Sequence, residues 1–121
     1  MTPSADPLTG RRILLVEDEY FLADDLRRLF EASGAEVIGP VARLQEALDL
    51  VTGTARIDGA VLDINLWDEM AYPVADALHD RNVPFVFATG YDKGVIPRRY
   101  EAVRRCEKPV EPIEVARALF G

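Results

Sequence analysis

Glu17, Asp18, Asp63, Thr89 and Lys108 have the types that could do chemistry together, and each stands where an apolar run stops. Glu17 and Asp18 follow Ile13-Leu14-Leu15-Val16, Asp63 follows Ala60-Val61-Leu62, Thr89 follows Val86-Phe87-Ala88, and Lys108 closes the stretch from Val103 to Glu107. Gathered in one cleft, three carboxylates repel one another unless a cation joins them. Mg²⁺ prefers oxygen ligands, keeps several waters and is usually held by one or two carboxylates plus phosphate oxygens. Glu17, Asp18 and Asp63 could supply that shell, with a backbone carbonyl at Asn65 adding an oxygen. Asp63, alone at the end of its run, suits a nucleophile of the kind that forms aspartyl phosphate. Phosphoryl transfer needs positioning and charge neutralisation above all. Mg²⁺ would neutralise one side of the group, Lys108 would ion-pair with the other, and Thr89 would hydrogen-bond a third oxygen. Such charge-assisted contacts contribute roughly 1.5–3 kcal/mol each. Taken singly, these residues have plainer readings: Lys108 as a surface charge, Thr89 as a satisfied hydroxyl, Asp18 as a favourable charge at a helix start. Their conjunction carries the chemical reading.

That conjunction requires elements that bring four run ends to one edge. The pattern predicts strands over 12–16, 36–39, 57–64, 83–88 and 103–107, short, apolar and branched. Between them it predicts helices over 19–33, 44–51, about 73–80 and 111–120. Leu22, Leu26, Leu29 and Phe30 form the apolar face of the first, and Ile113, Ala116, Leu119 and Phe120 that of the last. Gly39-Pro40 is expected to end the second strand. Gly90, Gly94 and Pro97 work against a helix over 90–101, so the fourth helix of the alternation is expected to be short or mobile. Strand–helix alternation with right-handed crossovers gives an α/β fold, a (βα)₅ doubly wound, five-stranded parallel sheet. Strand order 2-1-3-4-5 sets the first and third strands side by side, which unites Glu17, Asp18 and Asp63. Residues 1–10, rich in Pro, Ser, Thr and Gly, read as a flexible N-terminal tail, and 11–121 as a single domain with no output domain after it.

Composition narrows the function classes. The chain has 121 residues, 49% hydrophobic and 29% charged, with a formal net charge of −7. One domain of this length buries a core without disulfides or a structural metal. The acidic balance argues against nucleic acid, despite the local cluster Arg98, Arg99, Arg104 and Arg105. Cys106 and His79 are each single, so neither a disulfide nor a zinc site is indicated, and His79 in a polar helix end does not suit a Ser-His-Asp triad. No stretch approaches the ~20 apolar residues of a membrane span. No signal peptide is visible, so a cytoplasmic protein is expected.

The working residues Glu17-Asp18, Asp63, Thr89 and Lys108-Pro109 resemble those of response-regulator receiver domains of two-component signalling, over about residues 11 to 120. The resemblance implies the flavodoxin-like receiver fold and a Mg²⁺-dependent phosphorelay. Asp63 would take a phosphoryl group from the phosphohistidine of a histidine kinase or a histidine phosphotransfer protein. It further implies that Glu17 and Asp18 hold Mg²⁺, that Thr89 is the switch hydroxyl, that Lys108 contacts the phosphoryl oxygens, and that the Lys108–Pro109 peptide is cis. Pro84-Phe85-Val86-Phe87-Ala88-Thr89-Gly90-Tyr91 is similar to the PFxFATGY motif of the "FAT GUY" single-domain receivers of alphaproteobacteria. Partners of that group are typically kinases of the HWE or HisKA2 type, often in the general stress response. A phosphoprotein that switches partner binding or relays phosphate is implied, with only self-phosphorylation and autodephosphorylation chemistry of its own.

One position departs from the pattern. Most receivers carry Tyr or Phe three residues before the Lys, and here Arg105 stands there. A guanidinium is not buried cheaply, so Tyr91 or Tyr100 is the candidate for the readout, with Tyr91 favoured through its tether to Thr89 by Gly90. Tyr91 and Asn65 flank the path of the water that would hydrolyse the phosphate. Trp67, in the loop after Asp63, is either a partner anchor or packed on its own domain. A monomer or weak dimer is expected.

Two rival functions fit the residues less well. A haloacid-dehalogenase-type phosphatase needs an acid/base Asp where Asn65 stands and an acidic pair after the Lys. A fold-only adaptor is not expected to keep every chemical position.

Overall fold

The computed structural model describes residues 7–66, 69–90 and 96–121. Five strands form one parallel sheet: β1 (Arg12–Val16), β2 (Glu36–Val41), β3 (Gly59–Asp63), β6 (Phe85–Thr89) and β7 (Arg105–Glu107). Their order is β2-β1-β3-β6-β7, which is 2-1-3-4-5 when only the strands of this sheet are counted. Two short strands, β4 (Asn65–Leu66) and β5 (Glu69–Met70), pair antiparallel where the sequence reading expects a plain loop.

Four α-helices, α1 (Tyr20–Ala32), α2 (Leu44–Gly53), α3 (Tyr72–Asp80) and α4 (Pro112–Phe120), cover the sheet. Strand alternation sends successive side chains to opposite faces, so there are two cores. Leu14, Leu62, Phe87, Ala47, Val51, Val74 and Leu78 pack between the sheet and α2 and α3. Ile13, Leu15, Val61, Val86, Leu26, Phe30, Val115 and Ala116 pack between the sheet and α1 and α4. A Cβ on Gly59 would lie 2.6 Å from Leu119 Cδ1, so glycine there lets α4 approach the sheet. Among the described residues, no helix is long and apolar enough to cross a membrane.

Several sequence expectations shift. β2 does not end at Gly39-Pro40 but continues to Val41, with an irregular register between Leu14 and Val16 of β1. Gly39 has φ +95°, and a Cβ there would meet Val41 N at 2.9 Å, so glycine permits a kink that a side chain would block. The extension matters for the site: the Glu17 N–H donates to the Val41 carbonyl at 2.9 Å. Leu29 and Ile113, expected to face inward, are exposed, and Val115 takes the inward position on α4. α4 starts at Pro112, one residue later than read.

Residues 7–10 do not behave as a free tail. Leu8 is fully buried in the α1/α4 core, and the Gly10 N–H donates to the Gly34 carbonyl at 2.9 Å. A single apolar residue among turn formers carries no periodicity, so sequence pattern cannot reveal it. Between β6 and β7 there is no α-helix among the described residues; a 3₁₀ turn, Arg98–Tyr100, stands there.

Candidate functional site

The carboxyl ends of β1, β3 and β6 lie side by side, because β1 pairs with β3 and β3 with β6. Glu17 and Asp18 therefore leave the sheet beside Asp63, the last residue of β3. Carboxylate oxygens of Glu17, Asp18 and Asp63 all fall within 4.8 Å of one another. Glu17 and Asp63 are the only buried charged residues in the described core, at 3% and 8% exposure.

Lys108 follows β7, and its backbone N–H donates to the Thr89 carbonyl at 2.9 Å. That bond fixes the start of the Lys108–Pro109 step against the end of β6, and the Lys108–Pro109 peptide is cis, as the resemblance implied. Its ammonium lies 2.8 Å from Glu17 Oε1 and 3.0 Å from Asp63 Oδ2. Glu17 uses its second oxygen on its own chain, where the Glu19 N–H donates to Oε2 at 3.1 Å. Thr89, half-buried, closes β6 beside this group.

The electrostatics follow from burial. Asp63 is pushed up to about 7, first by burial, then by the neighbouring Glu17, with Lys108 opposing. Burial alone would lower Lys108, but its bonds to Glu17 and Asp63 outweigh that and hold it above its ordinary value. One ammonium thus serves two buried carboxylates, with a third half-buried beside them. The donor set fits a hard dication: three carboxylates within reach of one point, two of them buried around the Lys108 ammonium. Glu17, Asp18 and Asp63 could hold Mg²⁺, and Asn65 opens β4 two residues beyond Asp63.

The structure thus brings together Glu17, Asp18, Asp63 and Lys108 and sets Thr89 at the adjacent strand end. Tyr91 and Trp67 lie outside the described residues. Arg105 is exposed on β7, so the position three residues before Lys108 puts no side chain into the core. Tyr100, the alternative to Tyr91, is 4% exposed.

Sequence reasoning missed two features. A cavity of about 340 Å³ opens between α1 and the Lys108–Val110 turn, lined by Leu22, Leu26, Leu29, Pro109 and Val110, with Glu17 and Lys108 at its edge. The second is a contact among Asp76, Arg99 and Tyr100, whose partners lie more than twenty positions apart.

No family model matches the chain. SdrG from Sphingomonas melonis Fr1 is similar, with 38% identity and a TM-score of 0.77, covering 93% of this chain and 94% of that one. A response regulator receiver protein from Sinorhizobium medicae WSM419 shares 26% identity at a TM-score of 0.73, with 91% of each chain covered. The phyllosphere-induced regulator PhyR of Methylorubrum extorquens is 33% identical over 107 residues, 86% of this chain but 40% of PhyR's own length. The 2-1-3-4-5 sheet, the acidic cleft at its carboxyl edge and this likeness over nearly the full length of SdrG agree: the chain belongs to the response-regulator receiver family of two-component signalling.

Proposed function

We propose that Asp63 accepts a phosphoryl group from a phosphohistidine, with Mg²⁺ held by Glu17, Asp18, Asp63 and the Asn65 carbonyl. The observation that carries this reading is the buried Asp63 carboxylate at a strand end, 3.0 Å from the Lys108 ammonium and within 4.8 Å of two further carboxylates. Mg²⁺, when bound, supplies positive charge to the oxygens of the incoming group and favours the ionised form of Asp63.

An Asp63 oxygen uses a lone pair to form the new O–P bond as the P–N bond of the donor breaks, and the imidazole nitrogen leaves with that electron pair. Lys108, already beside Asp63, neutralises a phosphoryl oxygen, and Thr89 donates a hydrogen bond to another. Most of the barrier falls through positioning and charge neutralisation. Water later attacks the phosphorus, releasing inorganic phosphate and regenerating the carboxylate.

The donor is a histidine kinase or a histidine phosphotransfer protein. The Pro84–Tyr91 motif favours kinases of the HWE or HisKA2 type and a place in the general stress response of a cytoplasmic pathway. The phosphorylated domain then switches partner binding or relays its phosphate, and Tyr91 tunes the lifetime or readout. Acetyl phosphate with Mg²⁺ tests this. Intact-mass measurement is expected to show one added phosphoryl group, absent from Asp63→Asn. Turnover of phosphoesters would instead favour a phosphatase, and no modification at all would favour a fold-only adaptor.

A further inference from the structure

We propose that two copies of this chain pair through β7, edge to edge and antiparallel, so that their sheets run on as one. β7 is the last strand in the sheet order and has a neighbour, β6, on one side only. The two strands are parallel, with Phe87 against Arg105 and Thr89 against Glu107. In that register the Phe87 N–H donates to the Arg104 carbonyl at 3.0 Å and the Lys108 N–H to the Thr89 carbonyl at 2.9 Å. Backbone groups of successive residues turn to opposite sides of a strand. Those of Arg104, Cys106 and Lys108 turn to β6, so the N–H and C=O of Arg105 and Glu107 turn to the open side. Among the described residues, no backbone bond outside the ladder reaches either of them, and both are exposed.

Among the described residues, the elements nearest this edge lie inward of it. α4 reaches across to β3, where a Cβ on Gly59 would lie 2.6 Å from Leu119 Cδ1. On the other face the Tyr100 ring sits against Phe85 and Phe87 of β6, with centroids 5.9 Å away in each case. An uncovered strand edge is a template for another strand. Charge on an edge normally turns an incoming strand away; here it selects one.

A second β7 fits in a single register. Set antiparallel about a two-fold axis at Cys106, Arg105 of each copy stands opposite Glu107 of the other. Both are residues whose backbone faces the open side, so each Arg105 exchanges its N–H and C=O bonds with the opposing Glu107, and the two side chains share a face. Opposite charges so placed stabilise a strand pair, and like charges destabilise it. Centring on Arg105 would instead oppose two guanidiniums and call on the Val103 N–H, already given to the Tyr100 carbonyl at 3.1 Å. Centring on Glu107 would oppose two carboxylates and bring Pro109, which has no N–H, into the ladder. The strand Arg105-Cys106-Glu107 is thus complementary to itself in that register alone. Because the paired strands run opposite ways, the two Asp63 clefts open at opposite ends of the joined sheet.

Sedimentation of the full chain, from dilute solution up to about 1 mM, tests the pairing. The wild type is expected to pass from monomer to dimer, and the Arg105 and Glu107 amides to gain protection from hydrogen exchange as it does. Arg105→Glu and Glu107→Arg each set like charges opposite one another, and each is expected to weaken self-association at least about tenfold. Mixed in equal amounts, the two variants place every glutamate against an arginine, so the mixture is expected to dimerise as the wild type does. The chain carrying both exchanges should do so alone. A wild type that stays monomeric throughout overturns the proposal. So does a dimer that both single exchanges leave unchanged, or one that mixing them does not restore.

Discussion

The cleft at the end of β6 and the 96–103 segment packed on its face use the same materials. Each joins a carboxylate to a cation, yet Glu17 is 2% exposed at its side chain whereas Asp76 is 48% exposed. Burial makes the cleft an electrostatic problem: two carboxylates share Lys108, and the ionised form of Asp63 is disfavoured. Exposure makes the Asp76 contact a modest one, since water competes for each partner. The buried group concentrates charge that a cation or a phosphoryl group can rearrange, and the exposed group adds a modest tie between Asp76 of α3 and Arg99.

The sharpest break of this contrast is Asp63→Asn. It is expected to abolish modification by acetyl phosphate, a loss of at least about 100-fold, while the Asp76 contact stays intact by hydrogen exchange. Lys108→Ala comes next, because it removes the ammonium that lies within 3.0 Å of both buried carboxylates, Glu17 and Asp63. Denaturant melts in EDTA at pH 8 are expected to show a loss of about 3 kcal/mol. Added Mg²⁺ should raise the melting temperature more in this variant than in the wild type. An equal Mg²⁺ shift in both would show that Lys108 does not balance the carboxylates.

A third test follows from the Asp63 shift. Its folded value, about 7, lies above the ordinary 3.8, so the folded chain binds that proton more tightly than the unfolded chain. The resulting stabilisation is fully present below about pH 4 and is lost as pH rises through about 7. In metal-free melts, the stability advantage of Asp63→Asn over wild type should therefore grow between pH 4 and pH 8. A constant difference would place the strain of the cleft elsewhere. Tyr100→Phe is expected to cost only about 1 kcal/mol. Arg105→Ala, on an exposed position, should change stability by less than about 0.5 kcal/mol. A larger loss at Arg105 would contradict its solvent-facing place.

The two regions also differ in how far they were legible. Each cleft residue ends an apolar run, and strand order then dictates its neighbours, so local pattern plus topology suffices for Glu17, Asp63, Thr89 and Lys108. The Tyr100–Asp76 contact depends on how α3 is rotated about its axis and on a stretch whose Gly90 and Pro97 erase periodicity. Likewise, the passage of β2 through Gly39-Pro40 contradicts the usual role of Gly and Pro as strand enders. It is set by Val41 accepting the Glu17 N–H, a tertiary contact that no window of sequence contains. Leu29 and Ile113 were misplaced because periodicity defines an apolar stripe but not its edges.

Leu8 has a practical consequence for anyone who shortens or tags this chain. It fills space between α1 and α4 beside Phe30, ahead of the first strand. Cutting back to Arg11 would empty that space, and losing a buried leucine costs roughly 2–5 kcal/mol. A typical domain is only about 5–15 kcal/mol stable, so a chain begun at β1 would forfeit much of its margin. The smallest piece that folds well starts before Leu8, and an added peptide belongs ahead of Pro7.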